Sequence, residues 1–174
     1  LMQRIAMLSM HTSPLAQPGV GDGGGMNVYV RELVSALANQ GVACTTFTRR
    51  WRRDLPEVVE VEPNHRVVHV DAGDPALRKE LLAGTVDRFA DGVAAFLASD
   101  GGTDVLHANY WLSGLAGHRL KHELNLPLVT TFHTFARVKS QGGDLESHER
   151  EQAELEVIGC ADAICVSCPE ERDE

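Results

Sequence analysis

Short apolar runs recur along the chain with helical patterns between them, and this alternation limits the fold more than any other feature. The runs are Ile5–Leu8, Ala43–Phe47, Val67–Val70, Val105–Leu106, Leu128–Thr131 and Ala163–Val166. Each reads as a strand buried on both faces, which suits a parallel sheet better than an antiparallel one. Between them, Asn27–Asn39 places Val30, Leu33, Val34 and Leu37 on one helical face, and Gly41 follows as a stop. Thr85–Ala98 does the same with Val86, Phe89, Val93, Phe96 and Leu97, and Trp111–Leu124 and Glu149–Ile158 carry weaker helical patterns. Strands alternating with helices predict an α/β fold, a Rossmann-like parallel sheet with helices on both faces. With 174 residues there is enough chain for one domain with a sizeable core.

Charge and composition exclude several classes of function. A formal net charge of −9 argues against a nucleic-acid partner held by a broad basic surface, though a local cationic pocket remains open. The run Arg49-Arg50-Trp51-Arg52-Arg53 reads as an exposed loop after a strand, with attraction to an anionic membrane surface as the alternative. No apolar run is long enough to span a bilayer, and the first residues lack a signal-peptide pattern. Cys44, Cys160, Cys165 and Cys168 are too few and too clustered for a disulfide scaffold, and they suit a reducing cytoplasm. Cys165-x2-Cys168 with Cys160 nearby suggests zinc, but a second ligand pair at finger-like spacing is missing. Cys165 lies in an apolar run and reads as a buried strand cysteine, so no metal and no cofactor are expected. Ser167-Cys168-Pro169-Glu170-Glu171 looks like the cap and first turn of another helix, which predicts that the chain is part of a longer protein.

The segment "GVGDGGGMNVYV", residues 19–30, runs from a glycine-rich loop straight into a helix. Gly19-x-Gly21-x-x-Gly24 matches the dinucleotide fingerprint as a pattern, but Ser9–Pro18 separates it from the preceding strand. The second strand ends in Thr48-Arg49-Arg50 and not in an acidic ribose ligand, which leaves an NADP-binding oxidoreductase domain as one reading. Glycines abutting a helix N-terminus, where free N–H groups and the dipole favour an anion, point more generally to a phosphate.

Four segments together carry a family resemblance: "SMHTSPLAQPGVGDGGGMNVYV", "HANYWLSGLAGHRLK", "PLVTTFHTFARVK" and "CADAICVS". In order, they resemble the N-terminal half of the family 4 retaining glycosyltransferases of GT-B architecture. Within that family they are most similar to the inositol-phosphate glycosyltransferases of mycothiol synthesis. The resemblance implies that residues 1–174 are the acceptor-side domain, one half of a GT-B fold, with the donor-binding domain lying beyond them. It implies a nucleotide-sugar donor, UDP-linked, and a small polar acceptor, phosphorylated in the nearest members. It also implies a cytoplasmic protein and leaves room for a homodimer. This half alone is expected to be inactive.

By the same resemblance, Gly24 and Gly25 face the donor phosphates, and Asn27 contacts the acceptor ring, a helix cap being the alternative for Asn27. Lys79, Tyr110, Thr134 and Arg150 match the acceptor-phosphate site. Two cations and two hydroxyls are a coherent set for a phosphate dianion. His133, at the end of the strand Leu128–Thr131, matches a histidine at the reaction centre, and His11 is a second candidate. No protein nucleophile is implied, because in this family the leaving diphosphate helps deprotonate the acceptor hydroxyl. Glu146 and Glu154 have the spacing of the family's donor glutamates but precede the last strand, and read as surface helix residues. One departure bears on the substrate: "HANYWLSG" has Asn109 where the mycothiol enzymes have a second histidine. The acceptor therefore stays open between inositol phosphate, a sucrose-phosphate-synthase-like substrate and a cell-envelope glycan. A catalytically silent binding module is a further reading.

Overall fold

The computed structural model describes residues 3–17, 24–136 and 148–166. Seven strands form one sheet: β1 (Arg4–Leu8), β2 (Ala43–Arg49), β3 (Val58–Glu62), β4 (His65–Val70), β5 (Val105–Asn109), β6 (Leu128–Thr131) and β7 (Ala163–Cys165). Their spatial order is β3-β4-β2-β1-β5-β6-β7. Every neighbouring pair is parallel except β3 with β4. Among the described residues four α-helices connect them: α1 (Gly25–Asn39), α2 (Val86–Asp100), α3 (Tyr110–Leu124) and α4 (His148–Cys160). A short 3-10 helix, Lys79–Thr85, leads into α2.

The alternating sides of β1 show why the sheet is covered on both faces. Ile5 and Met7 pack with Val30, Val34 and Ala38 of α1. Ala6 and Leu8 pack on the other face with Phe89 and Val93 of α2 and with Leu112 and Leu120 of α3. Each large apolar side chain buried in this way contributes about 1.5–3 kcal/mol. Gly117 brings α3 close to the sheet: a Cβ there would lie 2.8 Å from Leu128 Cδ1 and 3.2 Å from Ala108 Cβ. α4 lies against α3, where Val157 joins Phe132, Phe135 and Leu115.

Two sequence expectations change. Val58–Glu62 is an added antiparallel strand at one edge of a sheet expected to be all parallel. Its Val-Val-Glu-Val-Glu pattern, with no residue fully buried, lacks the continuous apolar run of a central strand. The turn into β4 is made by Asn64 in the left-handed region, with φ 66°. Cys165 is exposed and not buried, because β7 is the opposite edge strand and all three of its residues are exposed. Cys168, Glu146 and the helix expected after Val166 lie outside the described residues. Among the described residues no helix is long and apolar enough to cross a membrane.

The connections leave β1 in one direction for β2 and β4, and reach β5 and β6 on the other side of β1. The carboxyl ends of β1 and β5 therefore border a crevice where the strand order reverses, the place where open parallel sheets bind ligands.

Candidate active site

The segment after β1 is held in place before it reaches the crevice. Ser9 N–H donates to Phe47 O at 2.9 Å, and Arg49 N–H donates to Met10 O at 3.0 Å. Met10 N–H donates to the Ser113 hydroxyl on α3 at 2.9 Å. The Asn27 amide Nδ2 donates to Ser13 O at 2.7 Å and lies 2.8 Å from Thr12 Oγ1. Asn27 is thus buried and ties the first turn of α1 to this loop. It does not cap the helix: Gly24 occupies the N-cap, with extended φ −126° and no side-chain bond. Among the described residues, a Cβ at Gly24 or Gly25 would meet nothing within 4 Å. Packing against the described residues therefore does not demand glycine at either position, and none of them blocks the helix N-terminus.

Two non-glycine residues at the rim have positive φ, Tyr110 at 75° and His133 at 67°. They immediately follow β5 and lie two residues after β6, both at carboxyl ends. Such conformations cost on the order of 1–3 kcal/mol and collect where function over-determines the backbone. His133 Nε2 lies 2.9 Å from Asn109 Oδ1. The Asn109 amide is oriented by its other end, since Nδ2 points to Leu8 O at 3.4 Å and Met7 Sδ at 2.9 Å. Its oxygen must then face the imidazole, so His133 Nε2–H donates to it. Tyr29 of α1 closes the other side of His133, ring centroids 4.9 Å apart.

Tyr110 contacts both a histidine and an arginine. The His11 ring lies 4.4 Å from it, and Arg150 Cζ lies 4.9 Å from its centroid. Arg150, 2% exposed, donates from Nε to Glu154 Oε1 at 2.8 Å and from Nη2 to Thr134 O. The second Glu154 oxygen accepts Ala136 N–H at 2.8 Å. Glu154 is therefore a buried partner of the site and not a surface residue, because Arg150 one turn earlier on α4 neutralises it. The Thr134 hydroxyl turns to the His133 carbonyl.

Lys79 reaches the same region from the far side. A cavity of about 520 Å³ is lined by Lys79, His11, Thr12, Arg49 and Trp51, among others. Arg49, unlike the exposed loop residue expected, is buried and donates to Asp74 O at 2.8 Å and Pro75 O at 3.2 Å. Burial lowers its pKa, an effect opposed by Asp74. Arg50 is paired with Asp71 at 2.7 Å and Arg52 with Asp54 at 3.1 Å. Arg49 and Arg50 are thus engaged within the domain, while Arg52 and Arg53 lie in an exposed loop after β2, as expected.

The structure therefore joins Tyr110, Thr134 and Arg150 directly, with His11 between Tyr110 and the Lys79 cavity. Asn109 and Arg49 enter this site without having been singled out as site residues. Asn109 was legible only as a departure, and its contact with His133 follows from the pairing of β5 with β6. Behind the rim, buried His107 lies 2.8 Å from Thr131 Oγ1. Desolvation, with a smaller contribution from the neighbouring His133, pushes its pKa down to about 4.

A family model described as a glycosyl transferase 4-like domain matches residues 24–174. The chain belongs to the glycosyl transferase 4-like family. The domain is 47% identical over 98% of its length to a D-inositol 3-phosphate glycosyltransferase from Xylanimonas cellulosilytica, covering 43% of that protein. It is 44% identical over 97% of its length to one from Corynebacterium efficiens, covering 41% of that protein. Among solved structures it matches a sucrose-phosphate synthase from Thermosynechococcus elongatus with TM-score 0.92 and 33% identity, over 98% of this chain and 44% of that one. The glycosyl transferase 4-like domain thus spans less than half the length of these curated relatives. Its mostly parallel, Rossmann-like sheet is that of GT-B glycosyltransferases.

Proposed function

We propose that the chain is the acceptor-binding half of a retaining glycosyltransferase that moves a sugar from a UDP-linked donor to a small phosphorylated polyol. The observation that carries this reading is the convergence of Tyr110, Thr134 and Arg150 at the rim, beside the cavity that holds Lys79. Lys79 gives the cavity beside this rim a local positive charge on a chain of net charge −9, which draws an anion there while the rest of the surface repels it. Lys79 and the Tyr110 hydroxyl take the acceptor phosphate, joined by the Thr134 hydroxyl once it turns from the His133 carbonyl. Arg150, paired with Glu154, holds Tyr110 and Thr134 in position from beneath. The open N-terminus of α1 at Gly24 and Gly25 receives the donor diphosphate. His133, oriented by Asn109, stands at the reacting sugar. As the donor's glycosidic C–O bond breaks, the acceptor oxygen bonds to the same carbon, and its proton passes to the leaving diphosphate. The donor's remaining contacts belong to a second domain, so this half alone has no transferase activity. The reading places the enzyme in the cytoplasm.

The relatives named D-inositol 3-phosphate glycosyltransferase support inositol phosphate as the acceptor. The likeness to a sucrose-phosphate synthase supports a hexose phosphate as the second reading, at the same phosphate site. In the full-length enzyme, Lys79→Ala should raise KM for the phosphorylated acceptor roughly ten- to a hundredfold, from about 1.5–3 kcal/mol of lost charge-assisted contact. It should leave the dephosphorylated analogue almost unchanged. Equal losses for both acceptors would refute the phosphate site, and comparing inositol phosphate with hexose phosphate decides between the two readings.

A further inference from the structure

α3 and α4 begin at the crevice, and they meet again at their carboxyl ends. There His118 and His122, one turn apart on α3, come together with Cys160, the last residue of α4. One donor atom from each of the three lies within 4.8 Å of the others. Cys160 Sγ is 3.3 Å from His122 Nε2, and the two imidazole centroids are 5.0 Å apart. We propose that His118, His122 and Cys160 form a binding site for a thiophilic divalent metal of the zinc class, which clamps α3 to α4.

The donor set suits that metal and few others. A thiolate with two imidazoles favours zinc or cobalt, whereas magnesium and calcium take oxygen ligands. Zinc bonds of about 2.0–2.3 Å place tetrahedral ligand atoms roughly 3.3–3.8 Å apart. The Cys160 to His122 distance already falls in this range. The widest separation closes by about 1 Å through side-chain rotation, which a half-exposed site permits. Glu156 supplies the outer partner expected of a metal-binding histidine. Its Oε1 lies 2.9 Å from His118 Nδ1, which fixes the ring tautomer and leaves Nε2 for the metal. The site has an entry path, because an open cavity of about 410 Å³ is lined by Leu115, His118, Arg119, His122 and Glu156. On binding, the Cys160 S–H proton is released to solvent and the sulfur–metal bond replaces it, with no change of oxidation state. The zinc pattern sought in the sequence at Cys165-x2-Cys168 misses this site, because both histidines come from a different helix. Tyr110 opens α3 and Arg150 lies in the first turn of α4, so a metal here ties together the two helices that carry part of the crevice. The clamp sits about 18 Å along α3 from Tyr110, as twelve residues at 1.5 Å each require.

Cobalt(II) is the direct probe. Titrated into the reduced protein, it should bind at one equivalent, with near-ultraviolet thiolate-to-cobalt charge transfer and the visible bands of a tetrahedral ion. Zinc should bleach both. Cys160→Ser should lose the charge-transfer band, and His122→Ala, at an exposed position, should lose the tetrahedral bands, each with an unchanged far-ultraviolet circular dichroism spectrum. Glu156→Gln should bind cobalt roughly ten- to a hundredfold more weakly. Absence of a thiolate band in the wild-type protein overturns the proposal. So does a band that persists in Cys160→Ser, or tetrahedral cobalt retained at full affinity in His122→Ala.

Discussion

Replacing Arg150 by Met tests the buried ion pair under the rim. The substitution keeps a long apolar side chain over Tyr110 and removes only the charge and its donors. Both partners of the pair are inside, with side chains 2% and 5% exposed. Glu154 would keep its contact with Ala136 N–H at 2.8 Å and lose the one at 2.8 Å to Arg150. Taking the cation away from a buried carboxylate costs about 3–5 kcal/mol, far more than the 0–1 kcal/mol of an exposed pair. For a domain of this size that lowers Tm by roughly 6–20 °C. Denaturant unfolding followed by circular dichroism measures the free energy directly. The double variant Arg150→Met, Glu154→Gln removes the stranded charge but keeps an acceptor for Ala136, and should recover most of the loss. A single-variant loss below about 1 kcal/mol, or a double variant no better than the single, would refute the reasoning.

Two further outcomes follow from the same geometry. In the full-length enzyme, His133→Ala should lower kcat far more than it raises the acceptor KM, since its contact is made chiefly in the transition state; an unchanged kcat demotes His133 to a structural residue. His107, whose folded pKa is about 4 against an ordinary 6.5, stays neutral while the unfolded chain takes up a proton. Stability should therefore be level above pH 6.5 and fall by on the order of 3 kcal/mol as pH drops to about 4. His65 and His69 are shifted in the same direction by burial and add to the slope. Denaturation at a series of pH values checks this, and His107→Gln should flatten the curve if the assignment holds.

Most of the sheet was legible because its strands are short apolar runs with helical patterns between them. Leu128–Thr131 matches its predicted bounds, and the others differ from theirs by only a few residues. β3 was not legible, since Val58–Glu62 owes its pairing to the turn at Asn64 and to β4, and not to its own burial. Tyr110, Thr134 and Arg150 were named only through resemblance, because residues 110, 134 and 150 share no local pattern and meet through β5, β6 and α4. Glu154 was misjudged for a related reason. An acid-rich helix looks solvated until the buried arginine beside it is known. Asn109, in turn, has no signature of its own, and its role rests on a cross-strand contact with His133.

The account stands or falls on recognition of a phosphate at the rim formed by Lys79, Tyr110, Thr134 and Arg150. Isothermal titration of the protein with D-inositol 3-phosphate, and separately with inositol, tests it most directly. Binding of the phosphate ester at least about tenfold tighter than inositol, with the preference lost in Lys79→Ala, is the predicted result. Equal affinity for the two compounds, or a preference that survives in Lys79→Ala, would contradict it.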